Sequence, residues 1–135
     1  MNRLFLDANV LFSIAYGSPS LEVFRKMSRQ KQCRLLASAY VIEEAIRNLS
    51  SPGQFKRLKD LLAEVEIVPD ADPKMPCPAI LPEKDRPVLL AAVQARSTHL
   101  ITGDLQYFSA YRGQIIQGVL ICTPRDYLQI IRGSS

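Results

Sequence analysis

Short apolar runs and longer stretches with apolar residues three or four apart take turns along this chain, and that alternation predicts strands alternating with helices. Residues 3–6, Arg3-Leu4-Phe5-Leu6, read as a buried strand. Asn9 to Tyr16 and Leu21 to Lys31 read as helices, the second with Leu21, Phe24 and Met27 at three-residue steps and with Ser18-Pro19-Ser20 as its start signal. A second buried strand covers Arg34 to Ala37. Ser38 is a natural N-cap for the helix that follows, whose Val41, Ile42, Ala45 and Leu49 share one face and which stops at Ser50-Ser51-Pro52-Gly53. Phe55, Leu58, Leu61 and Leu62 mark a further helix, and Glu66-Ile67-Val68 a minimal strand.

Residues 69–82 break the pattern. Pro69, Pro73, Pro76, Pro78 and Pro82 exclude a regular element, and a loop this long inside a compact domain is either a functional flap or a strap over the surface; the strap is favoured. Beyond it, Val88 to Arg96 predicts an apolar helix, His99 to Thr102 and Val119 to Cys122 two strands, and Pro124 to Ile131 a final helix, with Gly133-Ser134-Ser135 frayed. The order predicts an α/β fold, a parallel sheet with helices on both faces.

Composition narrows the class. At 135 residues and 47% hydrophobic content the chain suits a single domain, residues 1–135, with a packed core. It has no apolar run near the roughly 18 residues of a membrane span, and Asp7 interrupts the place where a signal peptide would need its apolar stretch, so a soluble, cytoplasmic protein is expected. Cys33, Cys77 and Cys122 are odd in number and widely spaced, which argues for reduced, mostly buried thiols.

Candidate chemistry rests on acids. The chain lacks G-x-x-x-x-G-K-[ST], G-x-G-x-x-G and G-x-S-x-G, so P-loop, dinucleotide-binding and hydrolase-elbow sites have no backbone device here. One histidine, His99, excludes H-E-x-x-H zinc chemistry. Asp7 closes the first strand, Glu44 follows the second, Asp85 opens a helix and Asp104 closes the His99 strand. Each has an ordinary structural use: Asp7 and Asp85 as caps, Asp104 as a turn residue beside Gly103. Asp85, however, stacks at helical spacing with Val88, Leu89 and Ala92, and a charge on a buried stripe needs a reason. In an open α/β sheet such positions converge on one crevice, where four carboxylates would repel unless a hard, oxygen-seeking cation such as Mg²⁺ or Mn²⁺ lay among them.

Charge points the same way. The net charge is +4; if four acids occupy one cleft, seventeen basic residues stand against the nine acids that remain, a balance of +8. A basic body around an acidic hole suits phosphodiester chemistry. Arg25, Lys26, Arg29, Arg47 and Arg86 are the candidate backbone contacts.

The segments carrying the acids resemble the PIN domain family of nucleases. They are Leu4-Phe5-Leu6-Asp7-Ala8-Asn9-Val10-Leu11, Ser38 with Glu43-Glu44 following, Asp85-Arg86-Pro87-Val88-Leu89-Leu90-Ala91-Ala92, and Leu100-Ile101-Thr102-Gly103-Asp104. Each motif is short; their order and spacing across nearly the whole chain carry the likeness. The resemblance implies a three-layer α/β/α sandwich with a central parallel sheet. It implies cleavage of single-stranded RNA with Mg²⁺ or Mn²⁺, held by Asp7, Glu44, Asp85 and Asp104 with Thr102 and Asn9 in support. Many small bacterial members resemble the toxin half of VapBC-type toxin–antitoxin pairs, so an antitoxin partner and a homodimer are also implied.

Two details depart from a simple transfer. On a helical wheel Glu43 and Glu44 lie about equally far from the Val41/Ile42/Ala45/Leu49 face, so periodicity leaves the choice open, while spacing from Ser38 favours Glu44. Three positions after Asp104, where many members carry an acid or small polar residue, this chain has Tyr107, followed by Phe108. The alternative is therefore a catalytically weak or inactive PIN-like module that binds RNA or protein. A haloacid-dehalogenase-type phosphatase fits poorly, because D-x-D-x-[TV] meets Asn9 and Leu11.

Overall fold

A computed structural model describes residues 1–104, 106 and 108–133. Six strands form one sheet: β1 (Asn2–Leu6), β2 (Cys33–Ser38), β3 (Glu66–Val68), β4 (His99–Ile101), β5 (Ile115–Ile116) and β6 (Val119–Cys122). Its order is β3-β2-β1-β4-β6-β5, and every pairing is parallel except that of β5 with β6. With its helices the sheet makes the expected α/β/α sandwich. The central strands are buried on both faces, Leu4, Phe5, Leu6, Leu35, Leu36, Leu100 and Ile101 all being fully enclosed, which is why they read as continuous apolar runs.

The helices are α1 (Ala8–Ala15), α2 (Glu22–Arg29), α3 (Ala39–Arg47), α4 (Pro52–Leu62), α5 (Arg86–Gln94) and α6 (Pro124–Gly133). Helix α1 packs against α3 and α4, and Phe24 of α2 lies 5.9 Å, centroid to centroid, from Tyr127 of α6. Pro19–Leu21 is a separate 3₁₀ turn before α2, so the helix predicted from Leu21 starts one residue later and ends at Arg29. Arg96, expected as helix, adopts φ 56° just past the end of α5.

Two further features depart from the sequence reading. Strand β5 was not anticipated; Gln117 (φ 47°) and Gly118 (φ 85°) form a two-residue turn that folds Ile115–Ile116 back onto β6, and both residues lie in the positive-φ region that such hairpins require. Ser38 stands at the N-cap of α3, yet its Oγ is buried without a partner. The backbone N–H of Tyr40 instead donates to Asp70 Oδ1 at 3.0 Å. At α4, by contrast, Ser51 and Gln54 form a complete capping box.

The proline-rich segment forms no helix or strand and is fastened down along its length. Asp70 caps α3 at one end; Tyr111 Oη accepts from Ile80 N at 2.8 Å and donates to Ile80 O at 3.1 Å; Leu81 is buried; and Tyr40 Oη donates to Lys84 O at 2.6 Å. It is a strap, and its far end delivers Lys84 and Asp85. The three cysteines are free, Cys33 and Cys122 buried and Cys77 half-buried. Among the described residues no helix is long and apolar enough to cross a membrane.

Candidate functional site

In this sheet order β1 sends its chain towards β2 and β4 sends its chain towards β6. The strand order therefore reverses between β1 and β4, and an open α/β sheet leaves a crevice beyond the carboxyl ends of two such strands. Asp7 follows β1 directly and Asp104 lies three residues beyond β4. A cleft of about 440 Å³ opens there, lined by Asp7, Asn9, Glu44, Asp85 and Asp104 among others. Glu43 is exposed and outside the lining, so it is Glu44 that the turn of α3 carries into the cleft.

Asp7 sits at the centre of a polar lock. Its Oδ1 accepts from Ala8 N at 2.7 Å, which makes it the N-cap of α1; its Oδ2 accepts from Thr102 Oγ1 at 2.8 Å and from Asn9 Nδ2 at 3.2 Å. Thr102 Oγ1 in turn accepts from Asp104 N at 3.0 Å, and Asn9 Oδ1 accepts from Gly103 N at 2.7 Å. The ends of β1 and β4 are thereby tied side chain to backbone. Gly103 keeps this approach uncrowded: a Cβ there would lie 3.2 Å from Asn9 Oδ1, and the Asn9 side chain would have to give way slightly.

The cap role does not exhaust Asp7. It is only 5% exposed, and burial pushes its carboxyl up to about 6, against the hydrogen bonds from Thr102 and Ala8 and with help from the charges of Glu44 and Asp85. Asp85, 7% exposed, occupies the N-cap position of α5 without making a capping bond. Its Oδ2 is buried with no partner. Burial raises its pKa as well, opposed by Lys84 and assisted by Asp104 and Glu44. Tyr40, near the charges of Glu44 and Asp85, is pushed up to about 12, mainly by burial.

Among the described residues neither arginine nor lysine forms an ion pair with Asp7, Glu44 or Asp85. An orphaned buried carboxylate oxygen and a buried acid held above its ordinary range both fit the neighbourhood of an oxygen-seeking cation. Among the same residues no three Asp, Glu, His or Cys groups converge closely enough to enclose an ion. Tyr107 lies outside the described residues.

Three of the candidate basic residues have partners within the protein. Arg25 and Arg29 are both bound to Glu64, at 3.2 and 2.6 Å, and Arg86 Nε donates to Leu81 O. Lys84, in the lining of the cleft, was not singled out; its place next to Asp85 was the available signal. Arg57, which donates from Nε to Ala15 O at 2.7 Å, had no sequence signal at all.

No curated protein matches the sequence significantly. Among solved structures, the chain is similar to one in the crystal structure of VapBC2 from Rickettsia felis bound to a DNA fragment from their promoter, with a TM-score of 0.63 at 15% identity, covering 90% of this chain and 98% of that one. At that identity the likeness speaks for the fold alone. The family model of the PIN domain matches residues 3–106, a span that holds β1 through β4 and all four acids of the cleft. With the switch-point cleft, the strand order and this match in agreement, the chain belongs to the PIN domain family.

Proposed function

We infer that this chain is a divalent-metal-dependent endoribonuclease that hydrolyses phosphodiester bonds of single-stranded RNA, as the toxin of a toxin–antitoxin pair. One observation carries the reading: the buried acids Asp7 and Asp85 share a cleft with Glu44 and Asp104, and among the described residues Asp7, Glu44 and Asp85 form no ion pair. Family membership supports the coarser part, a nuclease.

Asp7, Glu44, Asp85 and Asp104 would hold Mg²⁺ or Mn²⁺, which when bound supplies Lewis acidity and a water of lowered pKa. The chain's own groups do the rest. Thr102 fixes the Asp7 carboxylate from the β4 side and Asn9 from α1, so its lone pairs are presented without side-chain reorganisation. Tyr40 anchors the end of the strap at Lys84, next to Asp85. The Lys84 ammonium adds positive charge to a lining whose other charged groups are all acids. An antitoxin partner is supported by the likeness to a VapBC2 chain; a homodimer and a cytoplasmic setting belong to the same reading.

The test is cleavage of an end-labelled single-stranded RNA in Mn²⁺, in EDTA, and against the same sequence as a duplex. Cutting of the single strand that EDTA abolishes is the expected result. Undiminished cutting in EDTA would sink the metal-dependent mechanism. The open setting of the carboxylates favours a second reading, a catalytically weak module, and RNA binding with no cutting in any divalent ion would select it. A small gene for a DNA-binding antitoxin beside this one would strengthen the toxin assignment.

A further inference from the structure

A second open groove, of about 470 Å³, adjoins the acidic cleft, and Phe12 lines both. Its floor is aromatic: the Phe12 and Tyr16 rings lie 4.4 Å apart, tilted by 44°. Phe12 is half-buried against the core, whereas Tyr16 is 51% exposed. Ser13, Ser18 and Ser20 contribute hydroxyls to the same lining or its rim. Beside Gly17 of that lining stands Arg57, on α4. Its Nε is held by Ala15 O at 2.7 Å, and a Cβ on Gly17 would lie 3.7 Å from it. Among the described residues Arg57 forms no ion pair, so the outer edge of a positioned guanidinium remains available.

Helix α1 sets the spacing. Asp7 caps its start and Tyr16 its end, and at 1.5 Å per residue these positions are about 13 Å apart along the axis, a span of a few nucleotides. Acid cleft and aromatic pair thus follow one another along α1, and Arg57 of α4 is bound to the end of that helix at Ala15 O. An exposed aromatic face beside a fixed cation is the arrangement by which single strands are held without base-specific hydrogen bonds: a base stacks on the ring and a phosphate meets the charge.

We propose that the groove is a nucleotide subsite in which one unpaired base of a single-stranded RNA stacks on the Phe12–Tyr16 pair and a neighbouring phosphate binds Arg57. This rests on the ribonuclease reading for the choice of RNA. It adds which bases outside the cleavage centre are held, and by what.

The experiment is binding of a fluorescein-labelled ten-nucleotide RNA in EDTA, where no cutting is expected, by anisotropy. Tyr16→Ala should weaken affinity roughly fivefold or more and Tyr16→Phe should restore it, since stacking needs the ring and not the hydroxyl. Abasic substitution, walked along the RNA, should weaken binding to the parent at one or two positions and lose that effect in Tyr16→Ala. Arg57→Gln should reduce the slope of log K against log salt by about 0.7. Circular dichroism and thermal melting of each variant separate binding from folding. An unchanged affinity in Tyr16→Ala overturns the proposal and leaves the aromatic face to a protein partner. If that variant binds like the parent while the parent cuts RNA in Mn²⁺, the ribonuclease reading stands and the subsite alone fails; if the parent neither binds nor cuts single-stranded RNA, both fail.

Discussion

The two ends of the sheet treat carboxylates in opposite ways. Near the amino ends of the strands, Glu66 at the start of β3 receives both Arg3 and Arg34, at 3.2 and 2.7 Å, and Glu64 receives Arg25 and Arg29. Hydrogen bonds from those arginines bring both glutamates below their ordinary range, with burial pulling the other way and ranking first for Glu64. At the carboxyl ends, Asp7 and Asp85 are more deeply buried and are raised. The chain has arginines to spare, yet among the described residues none pairs with Asp7, Glu44 or Asp85. Glu64 and Glu66 are given their counter-charge by the fold; Asp7 is given hydrogen bonds from Ala8, Asn9 and Thr102 instead, and Asp85 Oδ2 is given no partner.

The sharpest way to break this contrast is Asp104→Asn, which removes a charge from the cleft end at nearly constant volume. RNA cleavage in Mn²⁺ should fall about a hundredfold or more, because several kcal/mol of charge stabilisation are lost, while the metal-free melting temperature holds or rises as repulsion is relieved. A variant that unfolds readily, or one that still cuts, would make Asp104 an ordinary turn residue.

Next in size is the pH dependence of metal-free stability, where the two ends should have opposite signs. Asp7 is raised from 3.8 to about 6, so above that range it is charged in both states and folding bears a penalty on the order of 3 kcal/mol. As pH falls from about 6 to 4 the folded state takes up the proton first, and stability rises. Glu64 and Glu66, being depressed, stabilise above the usual glutamate range and lose that contribution only as pH falls further. Asp126, lowered to about 2 mainly by Arg112, behaves likewise. Urea denaturation between pH 7 and 3 should therefore pass through a maximum, and Asp7→Asn should remove its rising limb between 6 and 4.

Divalent ions should act on one end only. Mn²⁺ at a hundred times its dissociation constant should stabilise the parent by about 2.7 kcal/mol, read as a rise in melting temperature, and Asp104→Asn much less. A parent insensitive to Mn²⁺ and Mg²⁺ would leave the cleft acids without a ligand.

The smallest effect belongs to the paired end. Glu64→Gln should reduce stability by about 1 kcal/mol, since its partners are partly solvated, and should leave RNA cleavage where it was. Cleavage that dropped with Glu64→Gln would mean that the two ends are coupled.

The residues that were legible in advance share a physical property: their signal is local. A fully buried parallel strand must be apolar throughout, so Leu4-Phe5-Leu6 and Leu100-Ile101 announced β1 and β4, and the acids that follow them could be placed at strand ends from the one-dimensional order alone. Helix spacing found α3 and α4 in the same way. Strand β5 was missed because two residues carry no period, and its only announcement was the Gln117-Gly118 turn.

What the sequence by itself determined about this protein is the succession of strands and helices and the set of acids that could meet. Which acids are compensated was decided by tertiary structure, because a counter-charge is a partner in space. Arg25 and Glu64 lie 39 residues apart, and Asp7 and its donor Thr102 are separated by 95. The wheel could not choose between Glu43 and Glu44, since both flank the buried stripe; only the position of the β1–β4 crevice relative to α3 brings Glu44 alone into the lining. Ser38 had the right chemistry for a cap and lost the bond to Asp70, which arrives from beyond β3. Local pattern sets what each residue can do, and the distances created by folding set which of those capacities is used.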